Sequence, residues 1–168
     1  MHYKMRDQIR FKIGKEEKNI QEKWIEIPEG TEHIQMMIEM PEEFQYMAFL
    51  FLEDPKKEIR FQKLLGYGQQ NPGIGKSTKD TTIGGVPGEI YPGTWKIGIG
   101  IFTEYVAQKL GEQTGEIVLT VSDRKDVVSD PIGGECWVEN GLHISEKSYR
   151  WENVFCPESG WYKGDFHT

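Results

Sequence analysis

Apolar and polar residues alternate along much of the chain. Ile9, Phe11 and Ile13 are separated by Arg10 and Lys12, the period-two signature of a strand with one buried and one solvated face. Trp24, Ile25 and Ile27 form a short edge segment before the turn Pro28-Glu29-Gly30, and Ile34, Met36, Ile38 and Met40 alternate until Pro41 ends the run. Tyr46 to Leu52 is apolar at both parities, which predicts a central strand covered on both faces. Glu53-Asp54-Pro55 supplies the turn after it, and Ile59 with Phe61 opens another strand. Trp95, Ile97, Ile99 and Ile101 return to strict alternation, with Gly98 and Gly100 on the opposite face, where another segment can approach closely. Ile117, Leu119 and Val121 repeat the pattern.

Helical signals are sparse: Glu104 to Gly111 offers two turns at most before Gly111 and Gly115 stop it. From Gly66 to Gly93 the chain is rich in Gly, Pro, Asn, Ser and Thr without any period, which predicts a long surface loop or a loop broken by one short strand. Beyond Ser122, turns at Asp130-Pro131-Ile132-Gly133-Gly134 and Asn140-Gly141 flank short runs that predict one or two hairpin-like strands. Short strands separated by turns point to an all-β, antiparallel β-sandwich, jelly-roll-like and with little helix. At 168 residues the chain suits one domain with a trailing segment.

Composition narrows the function classes. Hydrophobic residues at 37% and charged residues at 28% are ordinary for a globular protein. The net charge of −7 repels phosphate backbones and anionic lipids, so neither nucleic acid nor membrane is an expected partner. The amino end has no apolar leader and Met47 to Leu52 is too short to span a bilayer, so a cytoplasmic location is expected. Cys136 and Cys156 lack zinc-site spacing and are expected as free thiols.

Several motifs invite chemistry. Gly73-Ile74-Gly75-Lys76-Ser77-Thr78 contains a GKS string, but a phosphate loop needs glycine where Gln70 stands, so the string reads as a plain glycine-rich loop. His2, His33, His143 and His167 are scattered without i, i+4 pairing and are expected at the surface or in caps. The acidic pairs Glu16-Glu17, Glu42-Glu43 and Glu53-Asp54 read as solvated turns. Tryptophans 24, 95, 137, 151 and 161 either fill a core or present stacking faces to sugars.

The carboxy-terminal string Gly160-Trp161-Tyr162-Lys163-Gly164-Asp165-Phe166-His167-Thr168 resembles the junction that opens metallohydrolases of the polymerase-and-histidinol-phosphatase (PHP) type, with Phe166 in place of the usual leucine. Upstream, Val86-Pro87-Gly88-Glu89-Ile90-Tyr91-Pro92-Gly93-Thr94-Trp95 resembles the Pro-Gly-x-Ile-x-Pro-Gly-x-Trp stretch of the amino-terminal domain in the CehA/McbA subgroup of these enzymes. Leu52 to Pro55 and Ile27 to Thr31 are compatible with that domain, whereas residues 122–159 match nothing in it. The resemblance implies an accessory β-sandwich over residues 1–159, with 160–168 as the first residues of a PHP-type domain. His167 would be the first ligand of an incomplete His-x-His pair, with Asp165 as its neighbour. The resemblance leaves no complete catalytic site and no cofactor in this chain, while divalent zinc, manganese or iron is expected in the parent enzyme. Its partner would be the following PHP-type domain of the same polypeptide, and an edge strand leaves room for a homo-oligomer. Pro87, Gly88, Tyr91, Pro92, Gly93 and Trp95 are the candidate interface or ligand loop. The alternative is a stand-alone module binding carbohydrate or another small ligand through aromatic residues and this loop.

Overall fold

The computed structural model describes residues 5–66 and 71–123. They belong to a compact unit, Met1–Gly134; a second unit, Glu135–Thr168, lies outside the described residues. The strands are β1 (Arg6–Ile13), β2 (Ile20–Ile27), β3 (His33–Glu39), β4 (Ala48–Glu53), β5 (Ile59–Leu64), β6 (Gly73–Gly75), β7 (Gly93–Ile101) and β8 (Gly115–Ser122). They form two four-stranded sheets, ordered β1-β8-β3-β6 and β2-β7-β4-β5, with every pairing antiparallel. The chain crosses between the sheets at almost every connection, and this strand order is that of an eight-stranded jelly roll. The sheets are called A and B in that order.

The alternation read from the sequence becomes a single core. Phe11, Ile13, Ile34, Met36, Ile38, Ile117, Leu119 and Val121 come from sheet A, and Ile25, Ile27, Leu50, Leu52, Trp95, Ile97 and Ile99 from sheet B. Their registers agree, since Ile38 pairs with Leu119 and Leu52 with Ile97, so each row delivers its apolar side chains to the same face. The helix α1 (Thr103–Leu110) buries Val106 in the core and packs the partly buried Leu110 against it.

Three expectations need amendment. The edge segment at Trp24 is the end of a full eight-residue strand, because β7 extends alongside it from Gly93 to Gly100 and supplies a pairing surface that the weak apolar pattern of β2 does not reveal. β4 is central in its sheet, yet only its inner face is covered: Ala48, Leu50 and Leu52 are buried, while Phe49 and Phe51 are half-buried on the outside. Among its described residues the stretch between Gly66 and Gly93 does contain one short strand, β6, but Pro72 to Gly75, Thr81, Thr82 and Ile90 are buried, so residues 72–90 are part of the body of the fold.

This segment finishes the edges on one side of the sandwich. Gly73 N–H donates to Thr82 Oγ1 at 3.0 Å, Gly75 N–H to Thr81 Oγ1 at 3.1 Å, and Thr82 N–H to Gly73 O at 2.8 Å, so two threonines satisfy the free edge of β6. On β5, Gln62 N–H donates to Gly84 O and Val86 N–H to Arg60 O. A long loop without periodicity is thus held by edge groups that need partners.

Candidate functional site

The clearest concavity lies on the outer face of sheet A, beside this segment. It encloses about 470 Å³ and is lined by Gly30, Thr31, Glu32, His33, Lys76, Asp80 and Asp123. The β2–β3 turn brings its first wall, closed by Thr31 N–H on Pro28 O and allowed by Gly30 at φ 76°. The short 3-10 turn Thr78–Asp80 brings the second wall, with Ser77 Oγ donating to Asp80 Oδ2 at 2.8 Å. At the rim, Lys76 and Glu32 pair at 3.7 Å.

His33 forms the back of this concavity and corrects the expectation of a surface or cap histidine, since only 4% of it is exposed. Register pairs His33 with Gly75 and Gln35 with Gly73, and the imidazole lies against these glycines. A Cβ on Gly73 would stand 2.8 Å from the ring, and one on Gly75 would stand 3.1 Å from Nδ1. The Gln35 amide fixes the tautomer. Its Nε2 donates to Asn71 O at 2.8 Å and Pro72 O at 3.2 Å, which leaves Oε1 to accept from His33 Nε2–H at 3.2 Å. Neutral His33 therefore carries its lone pair on Nδ1, on the side of Gly75 and Asp80. The concavity can offer acceptors and one ammonium group to a small polar ligand. Among the described residues no three His, Cys, Asp or Glu side chains are grouped to hold a metal ion.

The second constellation surrounds the predicted loop Pro87 to Trp95. Arg60 and Asp54 pair at 3.4 Å with side chains 4% and 0% exposed. The Arg60 guanidinium also donates to Glu89 O at 2.8 Å and Val86 O at 3.3 Å, and lies 5.6 Å from the Trp95 ring centre. Asp54 Oδ1 accepts from Lys56 N–H at 2.8 Å and Glu58 N–H at 3.1 Å, closing the β4–β5 turn. This corrects the solvated reading of Glu53-Asp54: Asp54 is a buried linchpin, and Glu53 accepts from Lys96 Nζ at 2.8 Å. That hydrogen bond from Lys96 holds the Glu53 carboxyl below the ordinary 4.5 and keeps the Lys96 ammonium above 10.5.

Within the predicted loop, Trp95 is wholly buried and its Nε1–H donates to Tyr91 O at 2.7 Å. Its indole is core and presents no face to a sugar. Gly88 and Gly93 have φ 150° and 118°, and the Gly88 Cβ position lies 3.4 Å from Arg60 Nη2. Tyr91 is half-buried under Lys56, whose Nζ stands 3.6 Å from the ring centre, and Pro92 is exposed. Pro87 is half-buried at the start of the segment. The repeated Pro-Gly pattern thus serves as a brace around Arg60. Sequence reasoning passed over Arg60 and expected His33 only at the surface or in a cap; neither sits in a motif, and only the packing brings their partners together.

A third feature is the outer face of sheet B. Register sets Trp24, Lys96, Glu53 and Ile59 in one row, Glu22, Gly98, Phe51 and Gln62 in the next, and Ile20, Gly100, Phe49 and Leu64 in the third. Ile20 and Trp24 are 63% and 62% exposed. Phe51 lies over Gly98, where a Cβ would come within 1.9 Å of its ring. The expected close approach at Gly98 is therefore made by a neighbouring side chain of the same sheet. Lys96 bridges Glu22 and Glu53 at 3.3 and 2.8 Å and Lys57 adds a second cation to Glu53 at 3.5 Å, so an apolar field surrounds a charge-balanced polar centre.

His167 and Asp165, the cysteines Cys136 and Cys156, His2 and His143, and Trp137, Trp151 and Trp161 lie outside the described residues. No helix among the described residues is long and apolar enough to cross a membrane. Comparison with protein-family models finds no match for this chain, and a search of curated proteins likewise finds none.

Proposed function

We propose that this chain is a non-catalytic accessory domain that packs against a metal-dependent hydrolase domain of the PHP type, with phosphoester-like substrates. The observation that carries the packing role is the outer face of sheet B, where Ile20, Trp24, Phe49, Phe51, Ile59 and Leu64 form an apolar field around the charge-balanced centre of Glu22, Lys96, Glu53 and Lys57. Contiguous exposed apolar surface of this kind favours association. The likeness of residues 160–168 to the PHP junction supplies the partner's class, and His167, beside Asp165, would enter that partner's divalent-metal site. In this reading the Arg60 brace keeps the segment bearing Pro87 to Gly93 rigid beside the partner.

The test reads the coding frame past Thr168 and assays the protein it encodes. The expected result is a further domain with dispersed His, Asp and Glu, whose kcat/KM or Tm falls when residues 1–159 are deleted. A frame that closes after Thr168, or a catalytic domain indifferent to the deletion, overturns the proposal.

One observation favours the second reading, a binding module for carbohydrate: Trp24 presents an exposed indole flanked by Glu22 and Lys96. Titration of the chain with a panel of neutral and acidic oligosaccharides tests it. Binding that Trp24→Ala abolishes supports it, and no binding across the panel removes it.

A further inference from the structure

We infer that the open side of the sandwich, between β1 and β2, is a groove that takes an extended acidic peptide segment by strand addition. This stands apart from the hydrolase reading, because the binding is a property of this chain and is measured on it alone.

The two sides of the sandwich differ. On one side the edges β5 and β6 are finished by Thr81, Thr82, Gly84 and Val86. On the other side the edges are β1 and β2, and between them lies a groove of about 640 Å³ lined by Gln8, Ile9, Arg10, Glu22, Lys23 and Trp24.

Hydrogen-bond parity shows what the groove offers. In an antiparallel pair, alternate residues turn both N–H and C=O toward the partner strand and the others turn both away. Ile101 N–H donates to Asn19 O in the register that continues Ile20 opposite Gly100. The parity assigns Gln21, Lys23 and Ile25 to β7, and leaves Glu22 and Trp24 facing outward. Asp123 N–H donates to Met5 O, which assigns Asp7, Ile9 and Phe11 to β8 and leaves Gln8 and Arg10 facing outward. Donation from Gln21 Nε2 to Lys12 O, at 2.7 Å, confirms that the carbonyls of even-numbered β1 residues point into this gap. Backbone donors and acceptors of Gln8, Arg10, Glu22 and Trp24 therefore line the groove, and no hydrogen bond joins these four across it among the described residues. Such an edge is a template for another strand.

The side chains state which strand. Lys23 pairs in register with the wholly buried Ile97, so it faces the inside of the sandwich mouth, opposite Ile9 of sheet A. It makes no ion pair among the described residues, whereas Arg10 is paired with Glu116 and Glu22 with Lys96. An inward lysine on an edge strand repels an apolar or basic segment and accepts one that places a carboxylate opposite it. On the outer face the same segment would set an apolar side chain beside Trp24. The occupant is thus an extended peptide with an acidic residue facing Lys23 and an apolar residue next to it, facing Trp24.

The probes are three nine-residue peptides of alternating Thr and Val that differ only in a central Glu, Gln or Lys. Affinity for the full chain is read by calorimetry, and protection of the Glu22 and Trp24 amides by hydrogen exchange. The Glu peptide is expected to bind at least tenfold more tightly than the Lys peptide and to slow exchange at both amides. Lys23→Glu should invert the order, and Lys23→Gln should level it, without moving Tm, because Lys23 is exposed. Equal affinities, no binding by any peptide, or binding without protection at Glu22 and Trp24 would overturn the inference. So would a Lys23→Val chain that dimerises while the native chain ignores all three peptides, since Lys23 would then serve only against self-association. Binding of acidic oligosaccharides in place of the Glu peptide would assign the groove to sugars and remove the peptide.

Discussion

Arg60→Leu is the substitution that tests the brace most sharply. It removes the cation paired with a carboxylate whose side chain is 0% exposed, and strips donors from the carbonyls of Val86 and Glu89. Taking one member from a buried ion pair costs about 3–5 kcal/mol, because the remaining charge stays buried without its counter-ion. Asp54 keeps its two N–H donors from Lys56 and Glu58, which places the expected loss toward the lower end, at about 3 kcal/mol. For a domain of this size that is a fall in Tm of roughly 10–20 °C. Asp54→Asn should lose about as much, leaving Arg60 buried without its anion. The double variant Asp54→Asn, Arg60→Leu should lose at least about 1 kcal/mol less than the sum of the two, since neither orphan charge then remains. Urea unfolding followed by far-UV circular dichroism, with m-values compared across the four proteins, measures all three terms. A loss under about 1 kcal/mol for Arg60→Leu, or strict additivity in the double variant, would refute the view that this pair holds the loop.

Two glycines on one face of β7 should respond in opposite ways. Gly98→Ala drives a methyl into the Phe51 ring and is expected to destabilise by about 1–3 kcal/mol, whereas at Gly100 the new Cβ meets nothing closer than 3.9 Å and Gly100→Ala should be neutral or stabilise by about 0.5 kcal/mol; thermal melts of the two variants decide it. The Glu53–Lys96 pair sets a pH window. Glu53 is held below 4.5, so its contribution is full above that pH and fades as pH falls through the lowered folded value. Lys96 is held above 10.5, so its contribution is full below that pH and fades as pH rises through the raised folded value. The stability difference between the native chain and Glu53→Gln should therefore be level between these limits and shrink on either side. A difference that persists unchanged at pH 3 in urea melts would remove this pair from the account.

Much of the fold is legible in the sequence because period-two alternation is a local property. Ile9 to Ile13, Ile34 to Ile38, Trp95 to Ile101 and Ile117 to Val121 each declare a strand and its buried face without reference to any other segment. The two-turn helix after Ile101 is equally local, and so are the turns at Pro28 and Pro55. The candidate sites are another matter. Arg60 and His33 look like ordinary polar residues in strands, and nothing near them in sequence gives either a role. Arg60 acquires one only when Asp54, Val86 and Glu89 converge on it, and His33 only when β6 lays two glycines beneath its ring.

The same division governs the edges. The sequence by itself determined an antiparallel sandwich, its core rows, and the brevity of its helix, since each follows from alternation and turn chemistry along a few residues. Only the tertiary structure decided the jelly-roll strand order, which edges the Gly66–Gly93 segment closes, and which backbone groups of β1 and β2 remain turned outward. Those outcomes depend on pairing between residues more than a hundred positions apart, as Ile13 with Gly115 shows. A pattern of period two states which face of a strand is buried, but not which strand lies beside it.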